Sequence, residues 1–552
     1  MRSSSPQYRT KTGDVVVEPR SSARALGRRQ FLGFTAALGT AAALTGTLAA
    51  CGPESTNSTD GDKGGGKGSG KKTIDAGLSY TLSTGFDPMT ASGALPVAAN
   101  LHVFEGLVDL DPVTRSPYAA LAATMPQQVE PTVWRVKVRE GATFHDGSPV
   151  TADDVVFSFT RILDPANNSL IAQFLPFLKD VRAVDAGTVE FRLAFAFALF
   201  AERISVVKIV PRAAVTKGQQ QFDALPVGSG PYRMVSATKD DRIVFAEHTA
   251  YNGPKPARAA GMNWLLLADS SARVTALDSN RVQVIEDVPY INYAQVKKAH
   301  KADSVQSFGL LFLMFNLRRK PFDDVRVRQA LHWGLDKDKL IATGLLGNAT
   351  PASSFLQETH PDYRRAADVY DYDPARAKSL LAEAGVSGLD VTLVLTDTAW
   401  VKDVAPLIKE SWDGIGVRTT LDIGQSGGQY KNKIDNGEYQ VMAAPGDPSV
   451  FGNDVDLLMR WWYVGLWADK RHMWSQTPEG RQAKELLDAA AAEADTVKRK
   501  QLWGQAIDLA AAQVPLYPVF HRKLATAWND KALTGFRPLP TTGLSFLDTA
   551  PA

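Results

Sequence analysis

The chain has very little cysteine: Cys51 is the only one among 552 residues. A single thiol cannot form an internal disulfide, so an ordinary hydrophobic core must hold the fold together. Sites that need paired cysteines are excluded as well, and no two histidines stand four residues apart in their place. We therefore predict no bound metal and no other cofactor.

The chain also lacks an excess of one charge. It has 61 lysines and arginines against 59 aspartates and glutamates, a formal net charge of +2. Residues 1–50 carry seven basic and two acidic side chains, a net +5, so the remainder carries −3. A nearly neutral remainder argues against nucleic acid as a partner. Because about 500 residues exceed what one core usually holds, we expect two or more domains.

Long apolar runs are scarce too, and the clearest one extends from Phe31 to Ala50. About 20 apolar residues can span a bilayer, but this run is rich in Ala, Gly and Thr and is only weakly hydrophobic. Arg28 and Arg29 precede the run, and Leu48-Ala49-Ala50-Cys51 closes it. This order resembles the signal peptide of a bacterial lipoprotein of the twin-arginine type.

The resemblance implies that residues 1–50 are cleaved off and that the sulfur of Cys51 is acylated. Arg28 and Arg29 would direct export of the folded protein. Residues 51–72, which are mostly Gly, Ser, Thr, Asp and Lys, would then form a flexible tether. We expect a protein anchored by lipid to the extracytoplasmic face of the cell membrane. An uncleaved membrane anchor and a buried Ala-rich helix are the alternatives.

From Thr73 onward, helix and strand signals are mixed. Thr151 to Asp154 predicts a capping box, followed by a helix with Val155, Phe159 and Ile162 on one face. Three successive segments predict a parallel strand–helix–strand unit: Val391 to Leu395, Lys402 to Trp412 and Val417 to Ile423. This mixture predicts the α/β class.

Three further local signals predict single features. Leu516 to Phe520 reads as a short apolar strand. Asp373-Pro374 predicts the start of a helix that Gly385 ends. Gly228-Ser229-Gly230-Pro231 predicts a tight turn with positive φ.

Several segments, taken in order, resemble the extracellular solute-binding proteins of family 5, which are the receptors of oligopeptide, dipeptide and nickel ABC importers. The segments are Phe104 to Val108, Trp134 to Gly147, Thr151 to Val155, Gly228 to Tyr232, Tyr251 to Pro254, Phe315-Asn316 with Pro321 to Leu331, and Tyr372 to Ala377. Together they cover nearly all of the chain after the tether.

The resemblance implies a two-lobed periplasmic-binding-protein-like fold with an inserted extra domain. The first lobe would comprise residues 73–105, 228–307 and 525–552, with the inserted domain at 106–227, and the second lobe would comprise 308–524. Such a protein is no enzyme: it captures a peptide or other small solute between closing lobes and delivers it to an ABC permease. We expect a monomer.

Asp447 is the first candidate for binding the ligand. It follows the apolar segment Val441 to Ala444, and in peptide-binding relatives an acidic residue at this place pairs with the ligand's α-amino group. A buried ammonium needs such a carboxylate, because its desolvation is otherwise uncompensated. The alternative is a turn-forming aspartate before Pro448.

Aromatic side chains are the other candidates. Trp400 follows a predicted parallel strand at its carboxyl end, where ligands of open sheets bind. Trp461, Trp462 and Tyr463 would form flat walls for varied side chains or sugars, or else a packed core belt. Dipeptide-binding relatives carry an arginine just after that strand, whereas Thr396 to Trp400 contains no base. Longer peptides, or a ligand without a carboxylate, therefore fit better.

Other functions stay open at this stage. Gly424 to Gly428 matches the nucleophile-elbow pattern around Ser426, which is typical of serine hydrolases, but a hydrolase also needs an oriented histidine and acid. Relatives that bind oligosaccharides or chelated nickel define two further ligand classes. A signalling or adhesion module on the same fold is a third alternative.

Overall fold

The structure, a computed structural model, describes residues 71–552. The predictions for the signal peptide, Arg28, Arg29, Cys51 and the tether up to residue 70 lie outside the described residues. Within residues 71–552, no helix combines the length and the apolar character needed to cross a membrane.

The described residues alternate strands and helices, as the α/β prediction requires. The strands are β1 (Thr73–Leu78), β2 (Val108–Leu110), β3 (Pro117–Ala119), β4 (Gln127–Glu130), β5 (Val133–Lys137), β6 (Leu178–Asp185), β7 (Thr188–Leu193), β8 (Tyr232–Thr238), β9 (Arg242–Glu247), β10 (Gly261–Leu266), β11 (Val284–Ile285), β12 (Lys301–Phe315), β13 (Ala349–Pro351), β14 (Asp390–Thr396), β15 (Arg418–Gly424), β16 (Val441–Gly446), β17 (Leu516–Trp528), β18 (Leu533–Thr534) and β19 (Ala550–Pro551). The α-helices are α1 (Ala94–Val103), α2 (Ala152–Leu163), α3 (Phe200–Arg203), α4 (Arg212–Lys217), α5 (Gln219–Ala224), α6 (Ser270–Asp278), α7 (Tyr290–Ala299), α8 (Val325–Trp333), α9 (Lys337–Lys339), α10 (Pro374–Glu383), α11 (Ala399–Gly414), α12 (Ser426–Gln429), α13 (Val455–Tyr463), α14 (Pro478–Ala492) and α15 (Thr496–Gln513).

A large sheet organises the molecule, in the order β15-β14-β16-β12-β17-β11-β1-β10-β9-β8. Its two longest strands, β12 and β17, are antiparallel neighbours and belong to both halves. At one end β17 pairs with β11, and at the other β12 pairs with β16. The register between β12 and β17 shifts between Gln306 and Leu310. This central ribbon therefore joins the half formed by β1 and β8–β11 to the half formed by β14–β16.

The strand–helix–strand prediction is confirmed. Strands β14 and β15 are parallel, with Asp390 opposite Arg418, and α11 connects them. The predicted strand Leu516 to Phe520 is too short, because β17 continues to Trp528. Polar residues interrupt the apolar pattern after Phe520, although backbone pairing with β12 continues past them.

A smaller sheet, β4-β5-β7-β6, lies within residues 127–193. Helix α2 packs against it through Val155, Phe159 and Ile162, which are all buried. Thr151 and Asp154 exchange side-chain and backbone hydrogen bonds at the start of this helix, so the capping box is confirmed. The predicted start of α10 is confirmed as well, with Asp373 as its cap and Pro374 as its first residue.

The predicted left-handed turn at Gly228 and Gly230 is wrong. Neither residue is among the glycines with positive φ. A Cβ atom at Gly228 would lie 2.0 Å from the carbonyl oxygen of Val103, and one at Gly230 would lie 2.4 Å from that of His102. Glycine is needed here because the segment passes directly against the end of α1.

Candidate ligand-binding cleft

Asp447 follows β16 and caps a short 3-10 helix, Pro448–Val450. One carboxylate oxygen accepts hydrogen bonds from the backbone N–H and hydroxyl of Ser449. The other accepts from the backbone N–H and hydroxyl of Thr542, at 2.7 and 2.8 Å. Burial raises the pKa of Asp447, and these hydrogen bonds oppose the rise. Asp447 thus connects the β14–β16 half of the molecule to the C-terminal segment.

Two small cavities lie near Asp447, which borders neither of them, and we name each by its arginine. The Arg522 cavity is bordered by Thr542, the partner of Asp447, and by Arg522. The Arg115 cavity is bordered by Val450, three residues after Asp447, and by Arg115. Each cavity wall therefore includes a residue that is bonded to Asp447 or follows it closely in the chain.

The Arg522 cavity is rich in charge. Both Nη atoms of Arg522 donate to Oδ1 of Asp287, each at 3.1 Å. The guanidinium carbon lies 4.2 Å from the ring centre of Trp400, a favourable cation–π arrangement. Glu286 accepts hydrogen bonds from the backbone N–H and hydroxyl of Ser79, at 2.9 and 3.1 Å. Burial raises the pKa of Glu286 to about 7, so this carboxyl holds its proton more tightly than usual.

The Arg115 cavity has a different electrostatic character. Lys208, on its wall, forms an ion pair with Asp109. Arg115 donates a hydrogen bond from Nη2 to the carbonyl oxygen of Ser449. Its Nε atom and the hydroxyl of Ser205 are buried without a hydrogen-bond partner in the described chain. Two donors in the walls of this cavity thus lack acceptors.

The predicted aromatic residues have separate locations. Trp400 lies in the first turn of α11, near the carboxyl end of β14, and is buried against Arg522. Trp461 packs on Phe174 and Phe451, at 6.1 and 4.8 Å between ring centres.

Trp461, Trp462 and Tyr463 all lie in one buried hydrophobic cluster. The hydroxyl of Tyr463 donates to the carbonyl oxygen of Leu516 at 2.9 Å. Asp447 and Trp400 each contact one residue of the Arg522 cavity wall, Thr542 and Arg522 respectively, and none of the candidate side chains lines a cavity itself. A ligand contact by Trp461, Trp462 or Tyr463 stays a prediction.

Sequence reasoning missed the two arginines and the acidic pair Glu286-Asp287. Arg522 had a signal, because a lone arginine inside an apolar strand needs a counter-ion. Arg115 had none, since a basic residue in the loop between β2 and β3 is ordinary.

Buried ion pairs also connect α3 to α13 near the Arg115 cavity. Nη1 of Arg203 donates to Asp456 at 2.9 Å and to the carbonyl oxygen of Phe174 at 3.0 Å, and the same guanidinium pairs with Asp454. Arg460 donates to Asp456 from the next turn of α13, at 2.9 Å. Residues more than 250 positions apart in the chain are thereby held together without solvent.

The hydrolase alternative finds little support in the geometry. Ser426 begins the four-residue helix α12 after β15, so the strand–turn–helix context is present. Yet the hydrogen bonds made by histidine rings in residues 71–552 reach other groups and not Ser426. In the same part of the chain, no three His, Cys, Asp or Glu side chains cluster as metal ligands would.

The middle part of the chain matches a known protein family. Residues 116–468, more than half of the chain, match the family described as "Bacterial extracellular solute-binding proteins, family 5 Middle". The chain belongs to this family. The family 5 protein is therefore a substrate-binding protein of the kind that serves ABC importers, and the resemblance drawn from the sequence segments is confirmed.

Among curated relatives, the glutathione-binding protein GsiB of Escherichia coli is 26% identical over 480 residues, which cover 84% of this chain and 92% of the relative. Solved structures with similar folds include a dipeptide-binding protein of Pseudoalteromonas in complex with Met-Leu, with a TM-score of 0.78 and 19% identity, and DppA of Helicobacter pylori in complex with the peptide STSA, with a TM-score of 0.76 and 21% identity. Each alignment covers 87% of this chain, and it covers 100% and 98% of the two structures, respectively. The two-lobed fold class is thereby confirmed.

Proposed function

We propose that this family 5 protein is the extracytoplasmic receptor for a peptide, which it holds beside Asp447 and delivers to an ABC permease. The observation that carries the proposal is the position of Asp447, a carboxylate that joins the two halves of the molecule through Thr542 and lies next to residues that line two cavities. Relatives named for glutathione, a dipeptide and the peptide STSA support the ligand class.

A ligand ammonium can bind Asp447 without dismantling the site. Two of its four hydrogen bonds come from backbone N–H groups, which fix the carboxylate in place. The other two come from the hydroxyl groups of Ser449 and Thr542, which can rotate away. The ammonium would then replace neutral donors with a charge-assisted bond, which is stronger.

The test combines one mutation with one change in the ligand. Mass spectrometry of the protein purified under native conditions identifies the bound solute, and calorimetry then measures peptides with free and acetylated amino ends. We expect Asp447→Asn to weaken binding of the free peptide by roughly 2–5 kcal/mol, because it leaves a buried ammonium unpaired. The acetylated peptide should bind weakly to the wild type and lose little more in the variant.

Asp495→Asn is the matched control, because Asp495 also caps a helix, α15, but its side chain bonds to no residue that lines a cavity. If Asp447 only caps its helix, both variants should leave affinity unchanged and change stability by only a few tenths of a kcal/mol, because asparagine and aspartate are nearly equivalent caps. Additive losses from mutation and acetylation would exclude the direct pair. A bound oligosaccharide or nickel chelate in the mass spectrum would replace the peptide proposal.

The finer parts of the proposal concern location and lobe boundaries. The order of Arg28, Arg29 and Cys51 supports export and acylation, and the intact mass of the membrane-bound protein tests both.

The register shift after Gln306 supports a lobe boundary near residues 307–308. We retain 73–105, 228–307 and 525–552 as the first lobe, 106–227 as the inserted domain and 308–524 as the second lobe.

A further inference from the structure

Arg115 is a mostly buried cation to which the protein gives no counter-ion. Within residues 71–552, no carboxylate lies within ion-pair distance of it. Its Nε atom is buried without an acceptor, and burial lowers its pKa. Its backbone has a φ of 62°, a region that arginine rarely adopts. Unpaired buried charge and backbone strain both cost free energy and are typical of functional sites.

The acids near Arg115 do not pair with it. Asp109 pairs with Lys208, and Asp111 pairs with Lys255. Glu202 and Asp447 act on it only from beyond ion-pair distance. The nearby hydroxyl of Ser205 also lacks an acceptor. The Arg115 cavity therefore presents unused donors to whatever enters it, and the matching ligand group is an oxygen acceptor with negative charge.

Ser449 ties this cavity to Asp447. Its carbonyl oxygen accepts from Arg115, while its backbone N–H and hydroxyl donate to Asp447. A guanidinium and a carboxylate thus contact the same residue from two sides. They are placed to meet an ammonium and a carboxylate that are close together in one ligand.

We propose that the Arg115 cavity binds a ligand carboxylate that shares a carbon atom with the ammonium held by Asp447. This inference rests on the proposed function and names its substrate class: peptides with a free α-amino-acid head, such as γ-glutamyl peptides. An ordinary α-linked peptide carries a neutral amide carbonyl on that carbon and would leave Arg115 without a counter-ion.

Two isomers of the same tripeptide test this by calorimetry: γ-glutamyl-alanyl-glycine and α-glutamyl-alanyl-glycine. They have the same composition and the same net charge. We expect the wild type to bind the γ-linked isomer about ten-fold to a hundred-fold more tightly, as suits a charge-assisted contact. Arg115→Gln should lower the affinity for the γ-linked isomer to about that of the α-linked one, and Arg115→Lys should restore part of the preference.

Arg182→Gln is the control, because Arg182 is half exposed, belongs to the smaller sheet and pairs with Glu190. Thermal melts establish that each variant is folded. Equal binding of both isomers, or a preference that Arg115→Gln leaves unchanged, overturns this inference and not the peptide receptor. If neither isomer binds the wild type while other peptides do, the inference about Arg115 is also overturned. If no peptide binds at all, both the inference and the proposed function are overturned. Sulfate that stabilises the wild type but not Arg115→Gln, without discrimination between the isomers, would assign the cavity to a free anion instead.

Discussion

Arg522 and Arg115 line the two cavities near Asp447, and within residues 71–552 the fold gives an ion-pair partner to only one of them. Arg522 has a carboxylate partner in Asp287 and an aromatic face in Trp400. Burial alone would lower the pKa of Arg522, but Tyr290 and Asp287 raise it overall, whereas burial leaves that of Arg115 lowered. Arg522 therefore receives its counter-ion from the fold, whereas Arg115 is the cation that we propose for the ligand carboxylate.

The largest expected loss of stability is at Arg203, a third arginine, which is buried and has two carboxylate partners. We expect Arg203→Met to lower the free energy of unfolding by roughly 3–5 kcal/mol, because Asp454 and Asp456 lose a buried partner. Urea unfolding followed by circular dichroism measures the loss.

Arg418→Met is the control, since the pair of Arg418 and Asp390 is well exposed and should contribute little. A similarly small loss in Arg203→Met would contradict the structural role of the buried network.

The second test concerns Glu286 in the Arg522 cavity. Burial raises the folded-state pKa of its carboxyl to about 7, against 4.5 for an ordinary glutamate. Between these values the folded protein holds a proton that the unfolded chain releases, so stability falls as the pH rises. The fall amounts to roughly 3 kcal/mol across this range. Urea titrations at pH 4.5, 6 and 8 measure it.

Glu286→Gln should flatten that part of the pH profile, because glutamine does not titrate. Asp278→Asn is a suitable control, since Asp278 is an exposed acid that pairs with His300 in the same half of the molecule. A profile that keeps its slope in Glu286→Gln would assign the titration to another group.

The smallest expected losses of stability come from replacing the arginine of each cavity in the absence of ligand. Arg522→Gln should cost about 2 kcal/mol, because Asp287 loses a charged hydrogen-bond donor. Arg115→Gln should cost less, because it removes a hydrogen bond to the carbonyl oxygen of Ser449 but no ion pair. Thermal melts of both variants measure the losses of stability. Equal losses would mean that Arg115 contributes as much to stability as Arg522.

Local signals predicted the elements of the fold well, and long-range contacts account for what was missed. The capping box at Thr151 and the strand–helix–strand unit around α11 depend on residues close in sequence, so their patterns can be read directly. The glycines at 228 and 230 are needed because α1 packs against them, which no local pattern shows.

The same reason limits the prediction of the site. Asp447 stood out because it precedes a proline after an apolar strand. Its contacts with Thr542, and the position of Arg115 across Ser449, depend on how distant segments pack. The three aromatic residues at 461–463 looked alike in sequence. All three lie in one buried hydrophobic cluster, on the different faces to which a helix directs neighbouring side chains.

The central ribbon of β12 and β17 has a mechanical consequence. Two hydrogen-bonded antiparallel strands resist sliding past each other, because a slip of one residue would reverse the faces of every side chain. Twisting such a ribbon at its register shift disturbs few of these bonds. The ribbon is therefore stiff against sliding of its two strands and more compliant against twisting. If the two halves separate and return by such a rotation, the fixed register of the ribbon would bring Asp447 and Thr542 back into the same alignment.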